Sequence, residues 1–373
     1  MSASEIFFWS SVGIPLYAYF GYPVVLAGLQ LVVRRRVRRR PIEPSVSLLI
    51  PAYNEADVIE RKIQNSLALD YPKDRLEIVV VSDGSTDQTA ELASRLADDQ
   101  HIRVFDFQPN CGKINALNSA VPRLRGEIVV FSDAPALLNP DSLRKLVSNF
   151  ADPEVGAVSG KYTVIKADEV NIGESEDFYW KYETFLKVQE SKISSTLGGH
   201  GHLHAIRKAL YPFPPAGTIN DDYVIPVSVL AKGYRAVYEP SAIVYEEAHE
   251  MTGFRRRVRI MAGNLQQLRE MKGLLLPLRP LPLFFLLSHK LARILVPFAM
   301  VAAFFGNLPL IRSRLYLWLF LGQTLFYCFA AAGTKVQIKP KLLMLPYYFC
   351  MINAATFLGI YYAVTSHRKM SWK

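Results

Sequence analysis

Four acidic residues stand where carboxylates could bind a cation or accept a proton. Asp83 and Asp133 each follow a short apolar run, and Asp221 and Asp222 form an adjacent pair further along the chain. Carboxylates that converge at one edge of a sheet can bind Mg²⁺ or Mn²⁺ held by a diphosphate, or remove a proton from an attacking hydroxyl. Taken singly, Asp83 and Asp133 are more often turn residues or helix N-caps. The ordered set of acids favours the chemical interpretation.

The acids lie in a region, from about residue 45 to residue 250, where strand-like and helix-like segments alternate. The predicted elements are, in order, strand 46–51, helix 57–69, strand 76–82, helix 86–97, strand 101–105, a helix around 115–121 and strand 127–132. Strands separated by helices of this length predict βαβ units and a parallel sheet covered on both faces. Ligands of such sheets bind at the carboxyl ends of the strands, so the polar residues after each strand form the candidate site.

The composition excludes a disordered chain and a fibrous protein. Half of the 373 residues are hydrophobic and 20% are charged. The apolar residues concentrate in the first thirty and the last hundred positions, which predicts membrane helices around an α/β domain in the aqueous phase. The three cysteines are scattered and form neither a disulfide framework nor a metal-binding spacing. A reducing compartment is therefore expected for the α/β domain.

The first apolar segment, residues 6–33, is long enough to cross a bilayer and is followed at once by an arginine-rich run at 34–40. This pattern predicts a signal anchor, with the arginine run and the α/β domain in the cytoplasm of a multi-pass protein of the cell (inner) membrane. The net charge of +10 is attributed largely to basic residues beside membrane segments, where they contact anionic lipids. No nucleic-acid partner is expected.

Later segments complete the predicted membrane region. A basic amphipathic helix at 254–272 is expected to lie on the membrane surface, and the proline-containing stretch 274–287 is expected to be re-entrant or interfacial. Three further spans are predicted at 288–307, 315–333 and 342–364, although a basic tail leaves the side of the C-terminus open. The predicted division is an anchor at 1–40, an α/β domain at 41–253, an interfacial segment at 254–287 and a membrane region at 288–373.

Five short motifs occur in order in the α/β region: PAYNE at 51–55, VVSDGSTD at 80–87, GKINALN at 112–118, FSD at 131–133 and NDD at 220–222. Each is weak alone, but the ordered set resembles glycosyltransferase family 2. That family comprises inverting GT-A enzymes and includes cellulose, chitin, hyaluronan and poly-N-acetylglucosamine synthases. The resemblance implies a Rossmann-like, mixed but mostly parallel sheet in a cytoplasmic GT-A domain, joined to transmembrane helices.

The resemblance also implies roles for individual residues. The first motif is expected to begin the nucleotide site, the second to contact the base, the third to supply a lysine to phosphate and the fourth to bind Mg²⁺ or Mn²⁺. The last aspartate of the fifth motif is expected to be the catalytic base. Carried over to this chain, these expectations fall on Pro51, Ala52, Tyr53 and Glu55, on Asp83, on Lys113, on Asp133, and on the pair Asp221 and Asp222. For Lys113, an exposed loop lysine is the alternative.

Two departures from the family pattern bear on these roles. Pro135 stands where the DxD metal motif has its second acid. Cation binding is therefore expected from Asp133 with diphosphate oxygens and water, or with a histidine such as His249. The QxxRW motif of processive synthases is best matched at 256–260, where Arg259 is retained and Ile260 replaces the tryptophan.

The change at 260 puts processivity in doubt, because isoleucine cannot stack on an acceptor sugar. Arg256 and Arg259 are still expected to bind diphosphate, with a solvated or lipid-facing helix side as the open alternative. A histidine-rich segment, GGHGHLH at 198–204, has two interpretations. A flexible acceptor wall is favoured over a dedicated three-histidine metal site.

Together these features predict a hexosyltransferase of the inverting type. It would transfer a sugar from a nucleotide sugar, with a UDP-sugar expected, to a growing β-linked polysaccharide or oligosaccharide. One alternative is transfer of a single sugar to a polyprenyl-phosphate or glycolipid acceptor. A further alternative is an inactive sugar-nucleotide-binding subunit of an export complex. The expected partners are the donor, the glycan or lipid-linked acceptor and membrane lipids, with self-association or an export partner left open.

Overall fold

The computed structural model describes residues 1–98, 100–165, 173–199, 201–247, 253–270, 279–333 and 341–365. These residues form two compact units. The helical unit contains residues 1–29, 253–266 and 283–365, and the α/β unit contains residues 30–247 with 267–270 and 279–282, as far as they are described.

The helices, in chain order, are α1 (Ala3–Val32), α2 (Ala56–Leu67), α3 (Thr89–Arg95), α4 (Lys113–Ala120), α5 (Ser142–Val147), α6 (Gly173–Ile193), α7 (Asp221–Ala231), α8 (Gly253–Glu270), α9 (Pro280–Leu310), α10 (Arg314–Ala332) and α11 (Lys341–Thr365). The strands are β1 (Val46–Ala52), β2 (Leu76–Asp83), β3 (Ile102–Phe107), β4 (Ile128–Phe131), β5 (Leu137–Leu138), β6 (Val155–Ile165), β7 (His204–Arg207) and β8 (Arg235–Glu247).

The α/β unit is built on one eight-stranded sheet in the order β3-β2-β1-β4-β7-β6-β8-β5. The first four strands in this order are parallel, as the βαβ pattern predicts. β7 then runs antiparallel to both β4 and β6, while β6 and β8 are parallel. Every residue of β1 and β2 is buried, as expected for strands covered on both faces. The predicted α/β class, with a mixed and mostly parallel sheet, is confirmed.

Most of the predicted boundaries agree with the structure to within about two residues. The helix expected at 86–97 is shorter and begins at Thr89. It starts there because the Asp87 carboxylate accepts a hydrogen bond from Thr89 N at 3.0 Å. The N-cap residue of this helix is Gln88, whose side chain makes no capping hydrogen bond, so Asp83 does not have the N-cap role.

The arginine run after the first apolar segment is joined to the α/β unit. Arg35 N donates to Lys192 O at 2.8 Å, and its guanidinium forms an ion pair with Glu154 at 3.0 Å. Arg39 forms an ion pair at 3.0 Å with Glu239, whose side chain is 3% exposed. These contacts make the run part of the folded unit.

Within the described residues, the helical unit contains four helices long and apolar enough to cross a membrane, namely 3–32, 280–310, 314–332 and 345–365. Four such segments were predicted. The second of them begins at Pro280, so residues 280–287 are helical where the sequence predicted part of an interfacial stretch. Residues 271–278 of that stretch and the basic tail at 367–369 lie outside the described residues.

Close contacts join the helices of this unit. Tyr17 Oη and Ser288 Oγ lie 2.7 Å apart, and Trp9 Nε1 donates to Tyr316 Oη at 3.2 Å. The predicted basic amphipathic helix is present as α8. It packs against α11 so closely that a Cβ on Gly359 would lie 2.9 Å from Ala262 N.

Candidate functional site

The four predicted nucleotide-binding residues of the first motif lie at the carboxyl end of β1. Pro51 and Ala52 are buried in the strand, whereas Tyr53 and Glu55 follow it and are partly exposed. Parallel pairing places Ala52 beside Ser82 of β2. The ends of β1 and β2 therefore present their loops at the same edge of the sheet.

Side chains tie these two loops together. Asn54 has a φ of 54°, in the left-handed region that Asn tolerates better than most residues. In this conformation its Oδ1 accepts a hydrogen bond from Thr86 N at 2.8 Å. Glu55 N donates to Thr89 Oγ1 at 2.8 Å. The first and second motifs thus form one connected surface.

Asp83, at the end of β2, is buried and holds the loop that precedes Lys113. Its Oδ1 accepts from Cys111 N at 2.9 Å and its Oδ2 accepts from Gly112 N at 2.8 Å. Burial, reinforced by this carboxylate, raises the pKa of the Cys111 thiol to about 11. The neighbouring Gly84 has a φ of 68°, and a Cβ there would lie 2.2 Å from Asn110 N. Only glycine fits this close approach.

The predicted phosphate lysine connects two of the predicted acids. Lys113 begins α4, and its Nζ lies 2.9 Å from Asp133 Oδ1 and 3.0 Å from Asp221 Oδ2. The Lys113 side chain is only 13% exposed, which removes the alternative of an exposed loop lysine. Burial alone would lower its pKa, but the charges of Asp133 and Asp221 outweigh burial and raise it. Lys113 is therefore held as a cation.

Asp133 follows β4, and its carboxylate stays charged. Burial acts to raise the Asp133 pKa, but the positive charge of Lys113 outweighs that effect and the pKa is lowered. Lys113 engages Oδ1, and Oδ2 faces the imidazole of His202, whose Nδ1 is 3.4 Å away. An ionised carboxylate is an acceptor only, so Asp133 suits a cation.

Asp222 lies in the first turn of α7 and differs from Asp133 in its ionisation. Burial, together with the charge of the adjacent Asp221, raises the Asp222 pKa. The backbone oxygen of Asp222 accepts from Gly199 N at 2.8 Å. A Cβ on Gly201 would lie 3.7 Å from both Asp222 Oδ2 and Asp133 Oδ2. The glycine-rich segment therefore faces both carboxylates.

The histidine-rich segment contains two described histidines, and each stacks on a different ring. His202 stacks on Tyr162 with centroids 4.4 Å apart, and His204 stacks on Phe131 at 4.8 Å. His202 Nε2 also lies 3.5 Å from Glu246 Oε2. Within the described part of the chain, no three His, Cys, Asp or Glu side chains gather as a metal-binding group. His200 and His249 lie outside the described residues.

A second buried lysine lies behind the loop that carries Asp133. Lys62 of α2 is fully buried, and its Nζ donates to Ser132 Oγ at 2.7 Å and to the Ala136 oxygen. Burial lowers the Lys62 pKa to about 7, against the opposing effect of the Asp133 charge. This lysine braces the turn on both sides of Asp133.

The structure thus brings Lys113, Asp133, Asp221 and Asp222 together and places Asp83 beneath the Lys113 loop. Arg256 and Arg259 lie on α8, in the helical unit, and their predicted diphosphate contact remains a prediction. Sequence reasoning missed the contacts of His202, Glu246 and Lys62. Only the histidine-rich segment carried a signal in the sequence, because a lysine on a helix and a glutamate on a strand are ordinary.

Residues 47–212 match the family model described as glycosyl transferase family 2. This stretch is similar to the glycosyltransferase domains of that family. The resemblance predicted from the five motifs is confirmed. The matched range includes the first four motifs and ends before Asp221 and Asp222.

Curated relatives extend the likeness beyond residues 47–212. The chain is 28% identical over 261 residues to the poly-beta-1,6-N-acetyl-D-glucosamine synthase of Staphylococcus aureus strain MSSA476, covering 67% of this chain and 62% of that one. It is 32% identical over 239 residues to the probable glycosyltransferase YdaM of Bacillus subtilis strain 168, covering 59% and 55%. The chain therefore spans less than two thirds of the length of either relative.

A solved structure matches almost the whole chain. The mannosyltransferase PcManGT from Pyrobaculum calidifontis, in complex with GDP-Man and Mn²⁺, is 25% identical and superposes with a TM-score of 0.73. The match covers 97% of this chain and 100% of that one. The predicted GT-A fold is confirmed by this likeness.

Proposed function

We propose that this protein is a membrane-bound, inverting hexosyltransferase that adds sugar from a nucleoside diphosphate sugar to a growing β-linked glycan. The proposal is supported mainly by one observation. A buried cation lies beside several carboxylates at one edge of the sheet, and the pKa of one carboxylate is lowered while that of another is raised. Lys113 contacts Asp133 and Asp221, and Gly201 faces both Asp133 and Asp222. Sugar transfer needs such a pair of functions, one for the leaving group and one for the acceptor.

The leaving diphosphate is assigned to Lys113 and Asp133. Lys113 is buried and cationic, so its ammonium can donate hydrogen bonds to a diphosphate oxygen and oppose the charge that develops there. Asp133 fits a divalent cation because its carboxylate is ionised and only one of its oxygens is paired with Lys113. When bound, Mg²⁺ or Mn²⁺ supplies additional neutralisation of the diphosphate.

The acceptor proton is assigned to Asp222. Its raised pKa makes the carboxylate a stronger proton acceptor than an ordinary aspartate. As the acceptor oxygen bonds to the anomeric carbon, the bond from that carbon to the diphosphate breaks and the hydroxyl proton passes to an Asp222 oxygen. Attack from the face opposite the leaving group inverts the anomeric configuration. Asp221 acts beside it by holding Lys113 and raising the Asp222 pKa.

The donor and the nucleotide contacts follow the expectations from the sequence. A UDP-sugar is proposed, with its nucleotide on the loops that contain Pro51, Ala52, Tyr53, Glu55 and Asp83. The poly-N-acetylglucosamine synthase relative supports a glycan product. The mannosyltransferase neighbour was solved with GDP-Man, so GDP-sugars belong in the test.

A second candidate acceptor is a polyprenyl phosphate or a glycolipid that receives a single sugar. Ile260 supports this candidate, because it replaces the tryptophan that would stack on the acceptor sugar. The catalytic residues have the same roles in both candidates. The two differ in product size, which makes them separable by experiment.

We place the protein in the cell (inner) membrane with the α/β unit in the cytoplasm. The four apolar helices support a membrane location. The arginine run at 34–40 supports the cytoplasmic side, because basic residues flank membrane spans there. Self-association or an export partner would widen any path for a glycan beyond that of four helices.

The test is release of nucleotide by the purified full chain in nanodiscs, with a panel of UDP- and GDP-sugars and with Mg²⁺, Mn²⁺ or a chelator. We expect one donor to be used in a cation-dependent manner. Mass spectrometry of the product then distinguishes a glycan ladder from a lipid carrying one sugar. Asp133→Asn should abolish cation dependence, whereas Asp57→Asn, an exposed carboxylate on α2, serves as the matched control. Binding without release from any donor would overturn the proposal.

A further inference from the structure

His202 lies between two carboxylates from different parts of the sheet. Its Nδ1 is 3.4 Å from Asp133 Oδ2, and its Nε2 is 3.5 Å from Glu246 Oε2. The ring is fixed by stacking on Tyr162, whose hydroxyl donates to Glu246 Oε2 at 2.9 Å. The His202 backbone oxygen accepts from Ser132 Oγ at 3.0 Å, next to Asp133. The orientation of the imidazole is therefore set from several sides.

Among the residues that the structure describes, none forms a hydrogen bond with the His202 nitrogen that faces Asp133. Nδ1 is inaccessible to solvent, and the 3.4 Å approach of Asp133 Oδ2 does not form a hydrogen bond. Leaving a buried polar nitrogen unpaired is unfavourable, so a ligand that pairs with it is expected to bind there. A nitrogen lone pair beside an ionised carboxylate oxygen is a pair of donors suited to a metal ion.

The spacing of the two donor atoms suits a shared ion. Two adjacent ligands of an octahedral ion, each at about 2.1 Å, lie about 3 Å apart. The observed 3.4 Å requires only a small adjustment of either side chain. Lys113 occupies the other oxygen of Asp133, so this site does not compete with the lysine.

We propose that His202 and Asp133 are the two protein ligands of the catalytic cation. His202 takes the role of the second acid of the DxD motif, whose position in this chain is occupied by Pro135. This inference rests on the proposed function, since it assigns the cation of the same site. Two protein ligands leave the remaining positions for diphosphate oxygens and water, which is the usual arrangement for cations held by nucleotides.

Glu246 has a supporting role in this arrangement. A histidine that binds a metal through one nitrogen usually donates its other N–H to a carboxylate or carbonyl. Glu246 lies on the Nε2 side of His202, and Tyr162 holds its Oε2. Donation from Nε2 to Glu246 leaves the lone pair on Nδ1, directed to the side of Asp133. Glu246 is therefore a positioning residue.

A nitrogen ligand also predicts which ion is preferred. Mg²⁺ favours oxygen ligands, whereas imidazole suits transition metals, and affinity for mixed nitrogen and oxygen sites rises from Mn²⁺ through Co²⁺. We expect this protein to bind Mn²⁺ more tightly than Mg²⁺. His202→Asp restores two carboxylates and should shift the preference towards Mg²⁺.

The direct test uses Mn²⁺ as the spectroscopic probe, bound to the full chain in nanodiscs in the presence of UDP or GDP. Pulsed electron paramagnetic resonance detects the nuclear modulation of a directly bound ¹⁴N. We expect this modulation in the wild type, its loss in His202→Asp with Mn²⁺ still bound, and its retention in His101→Gln. His101 is a partly exposed surface histidine and controls for nonspecific binding.

Affinity measurements with the same probe extend the test. His202→Ala should weaken Mn²⁺ binding by at least about tenfold, and Glu246→Gln by about 10–100-fold. The Glu246 variant should keep the ¹⁴N modulation of its residual bound Mn²⁺, because His202 is still present as the nitrogen ligand. Bound Mn²⁺ without ¹⁴N modulation in the wild type would overturn the proposal, as would unchanged affinity in His202→Ala.

The outcomes separate this inference from the proposed function. Sugar transfer with a cation that shows no nitrogen ligand would overturn the role of His202 and leave the enzyme assignment intact. Mn²⁺ bound through ¹⁴N in a protein that uses no sugar donor would overturn the enzyme assignment and support the metal site. Absence of Mn²⁺ binding with either nucleotide would overturn the metal site.

Discussion

Asp83 and Asp133 occupy equivalent places, each at the carboxyl end of a parallel strand, but their partners differ in kind. The oxygens of Asp83 accept hydrogen bonds from the backbone amides of Cys111 and Gly112. The oxygens of Asp133 face the side chains of Lys113 and His202. Backbone amides have fixed positions, whereas a lysine and an imidazole can exchange one partner for another.

This difference shows that one edge of the sheet contains both a carboxylate that holds a loop in place and a carboxylate that is suited to catalysis. The loop after β3 leads directly to Lys113, and it is anchored by Asp83, whose carboxylate accepts hydrogen bonds from the backbone amides of that loop. The loop after β4 presents a carboxylate whose partners are themselves charged or able to bind metal. We therefore expect substitutions near Asp83 to change stability first and substitutions near Asp133 and Asp222 to change catalysis first.

The largest expected effect is on turnover and comes from Asp222→Asn. The amide keeps the shape of the side chain but cannot accept the acceptor proton, so kcat should fall by about 10²–10⁴-fold. Donor binding should be nearly unchanged. Single-turnover kinetics and nucleotide binding by calorimetry measure the two quantities. Equal losses in binding and turnover would contradict the assignment of Asp222 as the base.

A large effect on stability is expected from Asp83→Ala. The substitution leaves the buried amides of Cys111 and Gly112 without acceptors, which should cost about 3 kcal/mol and lower the Tm. Asp133→Ala should cost less, because Lys113 retains its contact with Asp221. Thermal unfolding of the two variants, followed by fluorescence, provides the comparison. A greater loss of Tm in Asp133→Ala would reverse the contrast between the two loops.

A pH-dependent effect on stability is expected from Lys62, behind the Asp133 loop. Its pKa of about 7 in the folded protein lies below the ordinary value of 10.5. The unfolded chain therefore binds more protons between these values, and the contribution of Lys62 to stability rises with pH, by up to about 1.4 kcal/mol per pH unit. Lys62→Met removes this dependence.

The measurement for Lys62 is the Tm of the wild type relative to Lys62→Met at several pH values from 6 to 9. We expect the relative Tm of the wild type to increase from pH 7 upwards. Parallel pH profiles would show that Lys62 ionises normally and does not lose its charge on burial. Lys73→Met, a surface lysine before β2, is the matched control.

The smallest expected effect is on the acid side of the pH–rate profile. Since the Asp222 pKa is raised, kcat should fall as the pH drops, at a pH above the usual range of aspartate. Asp221→Asn removes one cause of the raised pKa and should move this limb to lower pH, by about one pH unit or less. Rate measurements from pH 4.5 to 8 test the shift, and a move to higher pH would contradict it.

The parallel half of the sheet could be predicted from the sequence, because each of its strands is specified by residues that are close together in the chain. Each strand is a continuous apolar run, and the acids that follow the runs then fall at one edge. The motif order also identified Lys113, Asp133 and the Asp221–Asp222 pair before their proximity was known. Pairing of Lys113 with Asp133 spans only twenty residues and one βαβ unit.

The remaining contacts depend on pairings between distant segments. His202 meets Glu246 because β6 lies between β7 and β8, and nothing in the sequence specifies that order. The burial of Lys62 arises where α2 packs over the turn after β4. Lysines are mostly exposed in folded proteins, so the residue type gives no sign of this burial. Asp83 has the residue type of a helix cap, yet its donors come from a loop nearly thirty residues later.

The arginine run that follows α1 has a practical consequence for shortening the chain. If a soluble derivative were designed from hydropathy alone, residues up to 40 would be removed, because the α/β pattern begins immediately after them. That cut would remove Arg35 and Arg39 and leave the 3%-exposed Glu239 without its cation. A shortened chain should instead start at residue 33 or 34, so that the arginines are kept and their ion pairs with the α/β unit are preserved.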